Sequence, residues 1–422
     1  MMPARIFLPM FFGAGMLAAC QSAVAPPPAT PEAVVATYVS LAEAVFEDSL
    51  LAARKLDASI ERLLAQPSQA GLEDARQAWR EARIPYLQTE VFRFGNRVVD
   101  EWEGRVNSWP LDEGLIDYTA NSYGSESDNN LFYSANIIAN PILNIGGLSV
   151  DASHISPSLL AETLHQIDGV ETNVATGYHA LEFLLWGQDL NGSKPGAGQR
   201  PYTDFSPSQC SHGHCERRGA YLKAVSTLLV SDLEEMLMAW RPGGAAREEV
   251  MARGEAGGLV VILTGMGSLA FAELAGERIR LPYLLHDPEE EQDCFSDNTH
   301  YSHYYDALGI RNVYRGEYQR LSGETVKGPG LADLVRQAAP QLAAEMAERL
   351  AETESAMTAL VAEARQGNTF DMLIGTGNAR GAVLIPRILD ALQAETRSIE
   401  SVIAALGLTG LSLEGAPRSP AP

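Results

Sequence analysis

The stretch Thr30-Pro31-Glu32-Ala33-Val34-Val35-Ala36-Thr37-Tyr38-Val39-Ser40-Leu41-Ala42-Glu43-Ala44-Val45-Phe46 decides the fold class. Thr30 has a hydroxyl suited to an N-cap, and Pro31 suits the first helical turn. Val34, Val35, Tyr38, Val39, Leu41, Ala42, Val45 and Phe46 then recur at helical spacing and build one apolar face. A helix over 31–66 follows. Similar spacing predicts helices over 72–94, 157–167, 175–186, 217–240, 258–278, 331–365 and 378–406. Strand-like alternation is nearly absent, and loops rich in Gly, Pro, Ser and Asn separate the helical stretches. The predicted class is all-α.

One segment argues the other way. Leu259-Val260-Val261-Ile262-Leu263-Thr264-Gly265-Met266-Gly267-Ser268-Leu269-Ala270 reads as a strand, a Gly-rich turn and a helix start, as in dinucleotide-binding folds. No alternating strand–helix units surround it, and no acidic residue ends a second strand at the required distance. A buried helix, whose small residues let another backbone approach, is the better reading.

The 422 residues include 54 acidic and 31 basic side chains, for a net charge of −23. With 46% hydrophobic and 20% charged residues, the chain has the composition of a folded globular protein. Such a surface repels nucleic acid, which is excluded as a partner. Arg5 and an apolar run over 6–16, too short to span a bilayer as a mature helix, lead to Leu17-Ala18-Ala19-Cys20. This resembles a bacterial lipoprotein signal over 1–19, with Cys20 as the lipidated first residue. An ordinary signal peptide is the alternative. Gln21, where Asp would signal retention in the inner membrane, points to the outer membrane. Residues 20–31 read as a Pro-rich tether and 409–422 as a disordered tail. Between them, length and pattern suggest a first helical bundle over 32–242 and a second over 243–408.

Export makes disulfides available to the remaining cysteines. Cys210 and Cys215 flank Ser-His-Gly-His, a loop short enough to close as a local disulfide. A Cys/His metal site with His212 and His214 is the alternative, although no second such cluster supports it.

Two short motifs also recur at nearly one offset. Arg83-Ile84-Pro85-Tyr86-Leu87 returns as Arg280-Leu281-Pro282-Tyr283-Leu284, and Thr176-Gly177 as Thr376-Gly377. Two related bundles from an internal duplication are the expectation. His179 and Glu182 then correspond to Ala379 and Ala382, so the polar pair belongs to one half only. Three residues apart on a helix, His179 and Glu182 share a face. Tyr178, Ala180, Leu181, Phe183, Leu184, Leu185 and Trp186 make that helix apolar all round. A carboxylate buried there is costly unless a cation, a metal or several donors compensate it. Imidazole plus carboxylate suits iron, zinc or copper. The competing explanation is an arginine partner for Glu182, with Arg93 the candidate.

Gly177-Tyr178-His179-Ala180-Leu181-Glu182 resembles the Gly-x-His-x-x-Glu motif of the imelysin family, which includes iron-regulated proteins of bacteria. Phe92-Arg93-Phe94-Gly95, Trp109-Pro110-Leu111-Asp112-Glu113, Pro201-Tyr202-Thr203-Asp204 and Asp293-Cys294-Phe295-Ser296-Asp297-Asn298-Thr299-His300 resemble the same family, in this order. The resemblance implies a duplicated all-α fold in the periplasm or on the outer membrane, tied to iron acquisition, with a site around the motif between two halves. The expected ligands are His179 and Glu182, with Asp204, Asp297 or His300 completing the set. Gly177, Glu90, Arg93, Tyr202 and Asn298 are the expected lining. The family also bears a zinc-peptidase label. Peptide hydrolysis needs three protein ligands, an open metal position and a base, and the chain has no His-Glu-x-x-His. Three readings stand: a lipid-anchored binder of iron or a related divalent metal, free or as a small chelate, acting with other iron-uptake proteins; a zinc-dependent metallopeptidase; and a non-catalytic module that binds a polymer, haem or protein.

Overall fold

The computed structural model describes Met1 and residues 28–408. The leader, Cys20, most of the tether and the tail from 409 lie outside the described residues.

The described residues are mainly helical, and the strands among them are two short hairpins. Helix α1, Pro31–Ala65, starts at Thr30, whose side chain accepts from the Ala33 amide. It is the central rod, packed by α2 (Gln69–Leu87) and, from further along the chain, by the Cys215–Trp240 helix. Helix α3 is Arg97–Val106, and α4, Gly177–Trp186, has all ten residues buried. Helix α5 is Cys215–Trp240 and α6 is Gly254–Ser268. From Leu269 the helix widens to π geometry through Arg280 and ends at Leu285. The strand–turn alternative for Leu259–Ala270 is thus replaced by a core helix, which lies against α1. The most apolar 18-residue window of the 254–285 run has a mean hydropathy of 1.8, enough by length and composition to cross a membrane, but 72% of that window is buried within the protein.

The second half comprises α7 (Thr299–Arg315), α8 (Leu331–Ala338), α9 (Pro340–Arg365) and α10 (Gly381–Ala405). Helix α9 packs on α7 and α10. The expected single helix over 331–365 is broken at Ala339, which the following Pro340 holds out of helical geometry. Helix α7 was not anticipated. Its buried face includes His300, Ser302, His303, Asp306 and Asn312, so it carries little of the apolar periodicity that marks a helix in sequence. Strands β1 (Ile142–Ile145) and β2 (Leu148–Asp151) pair antiparallel, Leu143 opposite Val150. Strands β3 (Glu317–Gln319) and β4 (Thr325–Lys327) do likewise, Tyr318 opposite Val326.

One continuous apolar core runs through both halves. Of the two sequence matches, Arg83–Leu87 closes α2 while Arg280–Leu284 closes the long 254–285 helix. The second has no matching burial: His179 and Glu182 are inside, whereas Ala379 and Ala382 are exposed.

Candidate metal centre

Helix α4 begins at a left-handed backbone position, Gly177, with φ +83°. A Cβ there would lie 2.5 Å from the Val106 carbonyl oxygen. Only glycine lets α4 dock this closely on the end of α3. Helix α2 lays Trp79, Arg83 and Tyr86 along α4: the Trp79 indole donates to the Tyr178 carbonyl at 2.9 Å, and the Tyr86 and Tyr178 rings lie 4.7 Å apart. The geometry of α4 is therefore set by packing, and its two polar side chains are carried into the core with it.

His179 and Glu182 are both fully buried. His179 Nδ1 lies 3.1 Å from Glu182 Oε2 and 3.9 Å from Asp293 Oδ1. The other Glu182 oxygen accepts from the Ser296 amide at 3.0 Å and the Ser296 hydroxyl at 2.7 Å. Asp293 accepts from Arg83 at 2.8 Å, from Asn298 at 3.0 Å and from the Ser302 hydroxyl. Arg83 in turn donates to Asn107 at 2.5 Å. One ligand atom each from His179, Glu182 and Asp293 fall within 4.8 Å of one another. His179 Nε2 has no hydrogen-bond partner among the described residues, and the Trp109 ring lies 4.9 Å from the imidazole.

The charges do not balance: two buried carboxylates face one guanidinium. Asp293 sits below the usual carboxylate range because Arg83, with Asn298 and Ser302, outweighs burial. Burial, then the Asp293 charge, pushes Glu182 well above its ordinary value. Burial and Arg83 drive His179 down to about 3, so its imidazole is neutral at neutral pH, as a metal ligand must be. A neutral imidazole, a charged carboxylate and a second carboxylate that ionises when a cation arrives make a donor set that fits a transition metal.

Beside the centre, a cavity of about 350 Å³ is bordered by Asn107, Trp109 and Gln292. Five glutamates, Glu277 among them, and two arginines, Arg93 and Arg278, also line it, which leaves its wall net acidic. The larger cleft, about 580 Å³, lies elsewhere, between Tyr118, Trp186, Arg200 and His212.

The other expected residues separate into different surroundings. Asp204 is not gathered with His179. It accepts from Tyr118 at 2.6 Å, Arg200 at 3.1 Å and His212 at 2.6 Å, which satisfies it. Glu90 pairs with Arg278 at 2.8 Å. Arg93 does not neutralise Glu182; it binds Asp100 at 2.8 Å and lies near Glu103 and Glu273. Tyr202 reaches Gln209 instead of the centre. Asp297 belongs to a second group with Glu291 and Asp371, and the His300 ring rests on Tyr301. Asn298 does belong, as a donor to Asp293. Cys210 and Cys215 are bonded to each other, and His212 is taken by Asp204, so no Cys/His site forms there.

The sequence model of the imelysin family matches residues 41–399. The chain belongs to the imelysin family. Iron-regulated protein A of Synechococcus elongatus is 23% identical to this imelysin over 340 residues, 78% of this chain and 73% of that protein. A solved structure described as an iron-regulated protein A precursor, from Parabacteroides distasonis, superposes with a TM-score of 0.64 at 19% identity, covering 91% of this chain and 97% of the other. An imelysin-like protein from Psychrobacter arcticus gives 0.60 at 15%, covering 90% and 97%. At these identities the two structures speak for the imelysin fold.

Proposed function

We propose that this imelysin is an iron-regulated envelope lipoprotein that binds iron or a related divalent metal, zinc and copper included, for bacterial iron uptake. His179, Glu182 and Asp293 hold the metal, as a free ion or small chelate. A lipid on Cys20 anchors the chain to the outer membrane from the periplasmic side, where other iron-uptake proteins exchange cargo with it. The halves 32–242 and 243–408 meet around this centre.

One observation carries the reading: Glu182 is buried beside a neutral imidazole and a second carboxylate, and no arginine among the described residues binds it. Burying an acid without a counter-charge costs several kcal/mol, and a metal ion removes that cost while using the adjacent nitrogen. The complete burial of all three ligands favours retention of an ion over hydrolysis of a peptide, which would have to reach the metal. Titration of chelator-stripped protein with ferrous iron and zinc tests the reading. Glu182→Ala and His179→Ala should each abolish micromolar binding at this centre. Equal binding by wild type and both variants would overturn it. A protease assay on the metal-loaded protein should show no turnover above the Glu182→Ala background.

A further inference from the structure

We propose a second cation site, distinct from the His179 centre, formed by Glu291, Asp297 and Asp371 and selective for a hard, oxygen-seeking divalent ion of the calcium, magnesium and manganese class. It does not depend on metal binding at His179.

The three carboxylates each offer an oxygen within 4.8 Å of the other two. Oxygen ligands of one ion at about 2.1–2.6 Å necessarily lie within such a distance of each other. Convergence alone would be weak, because acidic groups cluster for many reasons. A separate observation supplies the weight. Glu291 is 1% exposed and Asp371 fully buried, and both oxygens of each have no hydrogen-bond partner among the described residues. Asp297 adds a fifth such atom, Oδ1. Buried polar atoms in folded proteins are almost always partnered, and unpartnered carboxylate oxygens are the costliest exceptions. The Thr299 and Thr369 hydroxyls and the Asp371 and Met372 amides lie near enough to ease Glu291 and Asp371 but meet neither in good hydrogen-bond geometry.

Nor, among the described residues, does a cation pair with the cluster. Arg80 is the one cation whose field lowers Asp297, and its guanidinium lies over the Trp186 ring at 5.0 Å instead of pairing with the cluster. Asp189 adds a further negative field. Burial and like charge consequently push Asp297 up to about 8 and Asp371 up to about 6. The donor set is all oxygen, which separates it from the nitrogen-containing centre and favours hard ions.

The location suggests what such an ion does. Glu291 and Asp297 lie on the 291–298 turn, and Asp371 on the Phe370–Ile374 helix of the second half. The same turn carries Asp293 and Ser296 into the His179 centre. An ion here ties the turn to the Phe370–Ile374 helix and so steadies the Asp293 and Ser296 side chains.

The test uses the full chain, stripped with chelator and titrated with calcium, magnesium and manganese. Wild type should bind at least one of these ions, and Asp371→Asn or Glu291→Gln should weaken that binding at least tenfold. Glu182→Gln, which alters only the His179 centre, should leave it within threefold. The amide variants remove uncompensated charge, so they should fold and melt, ion-free, no lower than wild type; only wild type and Glu182→Gln should gain melting temperature on adding the ion. Manganese-soaked wild-type crystals should show an anomalous peak between Glu291, Asp297 and Asp371, a readout that needs no variant. Wild-type affinity in Asp371→Asn, or no uptake of any of the three ions up to roughly 10 mM, above the weakest calcium modules, would overturn the proposal.

Discussion

Two buried acidic regions of this imelysin are built on opposite plans. Around Asp117 and Asp204, two carboxylates meet two guanidiniums. Arg200 reaches Asp117 at 2.7 Å and Asp204 at 3.1 Å, and Arg218 grips Asp117 at 2.6 and 3.0 Å. Burial alone would raise Asp117, but the two arginines hold it below the usual carboxylate range. Around Glu182 and Asp293 there is one arginine for two carboxylates, and it binds only Asp293. The fold therefore can neutralise core acids internally, and at Glu182 it does not. The first region is complete as folded; the second keeps Glu182 without an ion-pair partner among the described arginines.

The comparison is most severely tested at its balanced end. Arg218→Ala should cost about 3–5 kcal/mol in denaturant unfolding, because it strands part of Asp117, while metal binding at His179 stays within threefold. A small loss would mean that water already compensates Asp117. Glu182→Gln should do the reverse. Metal affinity at His179 should fall by about 100-fold, on the scale of losing one charged ligand, with ion-free stability unchanged or raised, as for replacing a buried unpaired charge by a neutral isostere. If Glu182→Gln lowers ion-free stability by as much as Arg218→Ala, the two regions are not opposites.

A pH series sharpens the contrast further. Asp297 is pushed up to about 8, and Glu289 and Glu395 to about 7, each by burial first. These groups bind protons in the folded state that the unfolded chain has released above its ordinary carboxyl pKa near 4. Their contribution is full at low pH and is lost as pH rises through 7 to 8. His179 and His303 act oppositely, since both are held near 3 by burial, and stability from them rises until the ordinary histidine value of 6.5. Above 6.5 only the carboxyl term remains, so the ion-free protein should lose melting temperature between pH 6.5 and 8. A saturating cation should remove the Asp297 share and leave the Glu395 share, since Glu395 bonds Thr353 and is remote from both clusters. The smallest effect belongs to Ser296→Ala, which deletes one hydroxyl donor to Glu182 and leaves the amide. Stability should fall by about 1 kcal/mol, and metal affinity should change only a few-fold.

The helices with an apolar face were legible in the sequence, as the Thr30 cap and the 31–66 span illustrate against the observed Pro31–Ala65. So was the pairing of His179 with Glu182, because three-residue spacing on one helix fixes their distance almost without tertiary information. Asp293 was not. It comes from a turn more than a hundred residues away, and the more polar neighbours Asp297 and His300 drew attention from it. The nearest sequence signal was its place before the apolar Cys294 and Phe295, which carry it into the core. Arg83 was read as part of a repeat, not as the counter-ion it is. Which of several arginines meets which acid depends on how helices dock, and neither spacing nor composition encodes that.

The Gly177 backbone has a consequence for reading relatives. The motif's opening letter answers to contact between two main chains, whereas its histidine and glutamate supply donor atoms to the candidate centre. A cousin that carried something else, or nothing, could exchange both acid–base letters and still be unable to accept any side chain at the first. Persistence of that glycine in a related sequence thus reports how tightly two helices meet, and is silent about what the protein carries.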